Sequence, residues 1–153
     1  MDQKTLTVQS EAFANNGLIP GKYTCDGINI NPPLAIHGIP DGAKCLAIIV
    51  DDPDAARGIW LHWLVWDIPI KDYLKENSIP GTQGINDFGQ LNYGGPCPPS
   101  GAHRYFFKVF ALDNPIGLAQ GAGRKQLEAA MRGHVLAYGE LVGLYKRTKQ
   151  WES

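Results

Sequence analysis

Three observations predict a mainly β fold with one or two short helices. Strand-length apolar runs recur at residues 45–50, 60–68 and 104–112, each bounded by turn-forming residues. Eighteen glycines and 11 prolines in 153 residues supply many turns while staying below low-complexity levels. Convincing helical spacing occurs only at residues 124–132, where Leu127, Ala130 and Met131 fall at i, i+3 and i+4 and Gly133 comes next as a stop signal.

Each element has its own signature along the chain. Residues 5–13 mix β-formers with polar residues and precede the turn signals Asn15-Asn16-Gly17 and Pro20-Gly21, which predicts an edge strand. Residues 31–36 lead into a turn at Ile39-Pro40-Asp41-Gly42. Residues 45–50 are continuously apolar and stop at Asp51-Asp52-Pro53, as expected of a central strand. Over residues 60–68 the period-2 rule puts Trp60, His62, Leu64, Trp66 and Ile68 on one face and Leu61, Trp63 and Val65 on the other, so this strand is interior as well. Residues 67–95 are interrupted by Pro69, Pro80-Gly81, Gly84, Gly89 and Asn92, and a connection of that length is often functional. Strand character resumes at 104–112, with His103, Tyr105, Phe107, Val109 and Ala111 sharing a face. Residues 134–145 form a last strand with Leu136, Tyr138, Val142 and Leu144 expected inward, although Glu140 falls on that face.

The length is that of a single domain over 1–153, with no repeat and no linker to divide it. Fourteen basic against 15 acidic residues, with no run of like charge, leave no footprint for nucleic acid or an acidic membrane surface. No apolar run approaches the ~18 residues of a membrane span, and the N-terminus lacks the pattern of a secretory signal. Cys25, Cys45 and Cys97 are odd in number and widely spaced, so free thiols in a reducing compartment are expected. The expectation is a cytoplasmic protein without a cofactor.

Polar groups cluster at the edges of the apolar runs. Gly94 and Gly95 open a loop in which backbone amides can approach an anion without Cβ interference, and Pro98-Pro99 stiffens the rest of the loop, with a cis bond as one means. His62 and His103 each offer a donor or a positive charge near neutral pH, which suits phosphate. Asp52 is placed to orient one imidazole or to meet a ligand amine, with Asp54 free to cap the turn in its stead. Tyr105 adds a phenol and an aromatic wall. A hydrolase built on Ser100, His103 and Asp52, or on Cys97 and His103, has the right residue types, but Ser100 lacks a Gly-x-Ser-x-Gly elbow and Cys97 lies between prolines. A metal site from Asp52, Asp54, His62 and His103 lacks any established ligand spacing.

Taken together, Asp52-Pro53-Asp54-Ala55, Trp60-Leu61-His62-Trp63-Leu64-Val65 and the 94–105 segment ending in His103-Arg104-Tyr105 resemble the phosphatidylethanolamine-binding protein family. The likeness is to its bacterial and archaeal Raf-kinase-inhibitor-like branch, and it runs from Ser10 to about Arg147, including Gly133-His134-Val135-Leu136-Ala137. The resemblance implies a β-sandwich of two antiparallel sheets and no catalysis. It also implies a small pocket for phosphate, phosphoethanolamine or a phospholipid head group. Asp52, His62, Pro99, His103 and Tyr105 match its pocket residues, Trp60 its wall, and Gly94 and Gly95 its backbone donors. A homodimer, or inhibition of a protease or kinase through the pocket rim, is implied by relatives. Two departures stand out. Ala56 replaces the Pro-Ser that typically comes after the Asp-Pro-Asp-Ala motif, and the sequence ends soon after Arg147, without the C-terminal helix that gates eukaryotic pockets.

Overall fold

The computed structural model describes residues 4–147, so the outermost residues of the domain expected over 1–153 lie outside it. Ten strands, one α-helix and a 3-10 turn at Gly21–Tyr23 make up its elements. The strands are β1 (Lys4–Thr5), β2 (Thr7–Gln9), β3 (Gly17–Leu18), β4 (Leu34–His37), β5 (Cys45–Asp52), β6 (Trp60–Ile68), β7 (Tyr73–Leu74), β8 (Thr82–Gln83), β9 (His103–Leu112) and β10 (Val135–Tyr145); the helix is α1 (Arg124–Met131). The larger sheet runs β1-β10-β9-β5-β6-β8, with β3 also on β10, and the smaller runs β2-β4-β7. Two sheets are as expected, but the larger is mixed: β1 and β3 lie parallel to β10. The predicted 5–13 strand is split. Its first part joins the large sheet and its second the small one, with Leu6 N–H donating to Tyr138 O at 2.8 Å between them.

This arrangement creates two apolar layers. Val8, Leu34, Ile36 and Leu74 of the small sheet pack against Ile48, Val50, Trp63, Val65, Tyr105 and Phe107 of the large one. On the other face, Leu127 and Met131 of α1 cover Ala47, Ile49, Leu64 and Trp66. The helix starts where Gly123 N–H donates to Gln126 Oε1 at 2.8 Å. It stops before Gly133, whose φ of 82° carries the chain into β10. With both faces covered, β5 is buried along its whole length.

Two face assignments need correction. In β6, Val50 and Asp51 of β5 pair with Trp63 and Leu61, so β6 carries an extra residue at His62, and a second irregularity lies between the Val65 and Ile68 pairings, where Asp67 adopts φ 53°. Strict alternation is broken twice. Trp63, Val65 and Ile68 therefore face the inter-sheet core, while Leu61, Leu64 and Trp66 face the helix side. In β10 the inward face is Ala137, Gly139, Leu141 and Gly143, the opposite parity to that expected from hydrophobicity. The cause is a close approach: a Cβ on Gly139 would stand 2.2 Å from Leu6 O. Glycines face in where the crossing N-terminal segment leaves no space for a side chain, with Leu141 fitted between them, and Leu136, Tyr138 and Leu144 turn out, where Tyr138 meets Phe110 at 4.9 Å.

Cys25 and Cys97 are joined in a disulfide, and Cys45 is the free, buried thiol, pushed up to about 11 by burial and then by Asp67. The expectation of three free thiols is thus wrong for two of them: residues 72 apart in sequence come to 5.4 Å between Cα atoms. The thiol argument for a reducing compartment loses its basis. No helix among the described residues is long and apolar enough to cross a membrane.

Candidate functional site

Antiparallel pairing gathers the candidate residues at one end of the large sheet. β5 ends at Asp52 and pairs there with Trp60, the first residue of β6, while Asp51 pairs with Phe106, three residues after the start of β9. A cavity of about 320 Å³ opens between these strand ends and the 97–99 loop. Asp52, Trp60, His62, Pro99, His103 and Tyr105 all line it.

Each imidazole is held by its Nδ1. His62 Nδ1 donates to Gly94 O at 2.6 Å, since a carbonyl can only accept, and His103 Nδ1 bonds Asp52 Oδ2 at 2.7 Å. Neither Nε2 has a hydrogen-bond partner among the described residues. Among the described residues no fully buried side-chain nitrogen or oxygen is unsatisfied, so both Nε2 atoms reach open space, and for two rings this buried that space is the cavity. Burial pushes His62 below the ordinary imidazole range, against the opposing pull of the Gly94 carbonyl and the Asp52, Asp51 and Asp87 carboxylates. Tyr105 lies between the two rings, edge-on to His62 at 5.2 Å and stacked on His103 at 6.4 Å. Burial, then Asp52 and Asp54, push its phenol well above the ordinary range, so it stays protonated.

Asp52 does two jobs at once. Its Oδ1 accepts Asp54 N–H at 2.7 Å, which closes the turn, and its Oδ2 holds His103. Asp54 does not cap in its place: it takes the backbone N–H, Nε and Nη2 of Arg104, each at 2.9 Å, and that guanidinium draws its carboxyl down to about 2.

The glycine amides are a second correction. Gly94 N–H donates to His62 O at 3.0 Å and Gly95 N–H to Asn29 Oδ1 at 2.8 Å, so neither is left for an anion; neither residue lines this cavity, and both line the one that adjoins it. What requires glycine here is space. A Cβ would stand 2.5 Å from the Phe88 ring at Gly94, and 2.3 Å from both Tyr23 O and Asn29 Oδ1 at Gly95. The peptide bonds into Pro98 and Pro99 are trans, since no cis bond occurs among the described residues. Cys97 lines the cavity as half of a disulfide, which removes the thiol that a Cys97–His103 pair would need. Ser100 is exposed and outside the lining. No group of three or more metal-type ligands is found among the described residues.

Two lining residues, Phe88 and Arg57, were not legible as site residues in the sequence. Phe88 packs edge-on against Trp60 at 5.5 Å and His62 at 5.3 Å. Its loop is strapped to β6 by buried Asn86, whose Nδ2 donates to His62 O and Asn92 O and whose Oδ1 accepts Phe88 N–H and Gln90 N–H. A lone aromatic among turn residues in the long connection was the available signal. Arg57 stands at the mouth, exposed and without an ion pair, in the turn between β5 and β6.

Comparison with known proteins shows the family and the fold. The family model for phosphatidylethanolamine-binding protein matches residues 9–146. The chain is 51% identical to a UPF0098 protein of Pyrococcus horikoshii, over 95% of this chain and 79% of the relative, and 47% identical to one of Methanothermobacter thermautotrophicus, over 93% and 99%. Among solved structures it resembles CT736 of Chlamydia trachomatis, a PEBP homologue, with a TM-score of 0.90 and 38% identity over 95% of this chain and 99% of that one. It also resembles E. coli YbcL, described as a member of the mammalian PEBP family, with a TM-score of 0.86 and 30% identity over 94% and 99%. On the match of nearly its whole length and the shared two-sheet architecture, the chain belongs to the phosphatidylethanolamine-binding protein family.

Proposed function

We propose that this family member acts as a single-domain, non-catalytic binding protein whose cavity takes a small phosphate-like anion: inorganic phosphate, phosphoethanolamine or a phospholipid head group. The observation that carries this reading is the pair of buried imidazoles, each fixed at Nδ1 and opening Nε2 into one cavity. A neutral Nε2 accepts from a protonated phosphate oxygen, and a protonated one donates to an ionised oxygen, so the pair suits an anion that itself exchanges a proton near neutrality. Asp52 holds His103 from behind the ring, and Arg57 adds a permanent cation at the mouth. The Gly94 and Gly95 amides play no direct part.

A rim-mediated interaction with a protease or kinase is the second reading, favoured by the exposed Trp60 and Phe88 of the cavity lining and by exposed Ile59, the residue before Trp60. Calorimetric titration with phosphate and phosphoethanolamine at about pH 6.5, where imidazole is part-charged, separates the two. Saturable binding by the intact protein, lost in His103→Ala, is the expected result. Unchanged binding by His103→Ala would sink the site, and no binding by the intact protein would leave the rim.

A further inference from the structure

A second cavity, of about 500 Å³, adjoins the first and shares Phe88 and Cys97 with it. Its polar character differs. The first cavity presents imidazole, carboxylate and guanidinium; the second presents the uncharged side-chain amides of Asn29, Gln90 and Asn92. Among the described residues the Gln90 and Asn92 carboxamides make no hydrogen bond, and Asn29 uses only its Oδ1, leaving Nδ2 as a donor. Phe88, 42% exposed, stands at the boundary, fixed in place by Trp60 and His62.

We infer that the two cavities form one composite site for the phosphate ester of a sugar or other neutral polyol, with phosphate on the imidazoles and hydroxyls on the three carboxamides. The inference rests on the anion site proposed above. Three neutral donor-and-acceptor side chains, set beside the apolar Ile28, Phe88 and Tyr93, favour a neutral hydroxyl-bearing group with a C–H face over a second charged group. Phe88 lines both cavities and gives the C–H side of a sugar ring an aromatic contact. An extended peptide is disfavoured by the backbone: the 84–95 segment forms no strand, and the N–H groups of 84–90, Gly94 and Gly95 are all bonded within the fold, which leaves too short a stretch for a ladder of strand addition.

The test is calorimetric titration of inorganic phosphate, phosphoethanolamine, glucose 6-phosphate and a phosphoserine tetrapeptide into the intact protein and a Gln90→Ala/Asn92→Ala variant. Two or three added hydrogen bonds predict that glucose 6-phosphate binds about tenfold more tightly than inorganic phosphate. That gain should vanish in the double variant while inorganic phosphate binds it as before. Phosphatidylinositol vesicles serve as a further arm: binding there with the same sensitivity to the double variant also supports the site and assigns its ligand to a lipid head group. Equal affinity for all small phosphates, a gain that survives the double variant, or tightest binding by the phosphopeptide would each overturn the composite site and leave the anion pocket standing. Failure of inorganic phosphate and every ester to bind would overturn both.

Discussion

Asp51 and Asp52 are neighbours at the end of β5, 1% and 3% exposed, and they serve opposite faces of the same sheet. Asp51 meets two permanent cations, Lys108 Nζ at 3.0 Å and Arg124 Nη1 at 2.8 Å, and so pins the start of α1 to the sheet. Asp52 meets an imidazole whose other nitrogen opens on a cavity. Burial and charge are nearly the same; the partners differ. A carboxylate whose charge is met by fixed cations holds the fold together, whereas one that steadies a proton-exchanging ring at a cavity wall leaves capacity for a ligand. The same contrast separates Gly95, whose amide is spent on Asn29, from Arg57, whose guanidinium is unpaired at the mouth.

The largest effect expected is at Gly95. Gly95→Ala keeps the amide but drives a Cβ into the Tyr23 carbonyl, at a cost to stability of about 3 kcal/mol read by urea unfolding. Native stability with lost phosphate binding would restore the residue as an anion donor. Next, Asp51→Ala strands Lys108 and Arg124, which keep some access to water, so about 2 kcal/mol of stability should go while phosphate affinity holds. Asp52→Asn should do the converse. It keeps an acceptor for Asp54 N–H but exchanges a charge-assisted bond to His103 for a neutral one, which predicts about tenfold weaker phosphate binding with little change in the unfolding midpoint. If both variants lost stability alone, the contrast between the two aspartates would collapse.

The smallest effect concerns pH and is best read with sulfate, whose charge is constant across the neutral range. Burial holds His62 below its ordinary value, so the ring is neutral at pH 7 in the free protein. A bound anion favours the charged ring and raises its pKa, so binding takes up protons. Affinity should therefore fall as pH rises, by no more than about tenfold per unit for each proton taken up. A flat profile would remove the imidazoles from the anion contact.

Long, strongly patterned elements were legible from the chain itself. β5, β6, β9 and α1 appear within two residues of the expected bounds because their burial is continuous or evenly periodic. β10 was found but turned inside out, because hydrophobicity points large residues inward whereas the space under Leu6 admits only small ones. The β6 faces failed at His62 and Asp67, where single extra residues reset the alternation. Six of the eight site residues share the cavity: Asp52, His62, His103 and Tyr105 could be read from the polar groups at or within strand-like runs, whereas Trp60 and Pro99 came from the family resemblance. The two glycines do not, since a sequence shows that an amide exists and not whether Asn29 or His62 already holds it. Cysteine pairing failed for a related reason: the approach of Cys25 to Cys97 is a property of the folded loops.

The central claim is that both imidazoles touch the anion through Nε2. Imidazole ¹⁵N NMR, recorded on the intact protein with and without phosphate, reads those atoms directly. The account predicts that His62 in the free protein carries its proton on Nδ1 with Nε2 bare, and that phosphate shifts Nε2 of both His62 and His103 toward the protonated form. Resonances of both rings left unmoved by saturating phosphate would contradict it.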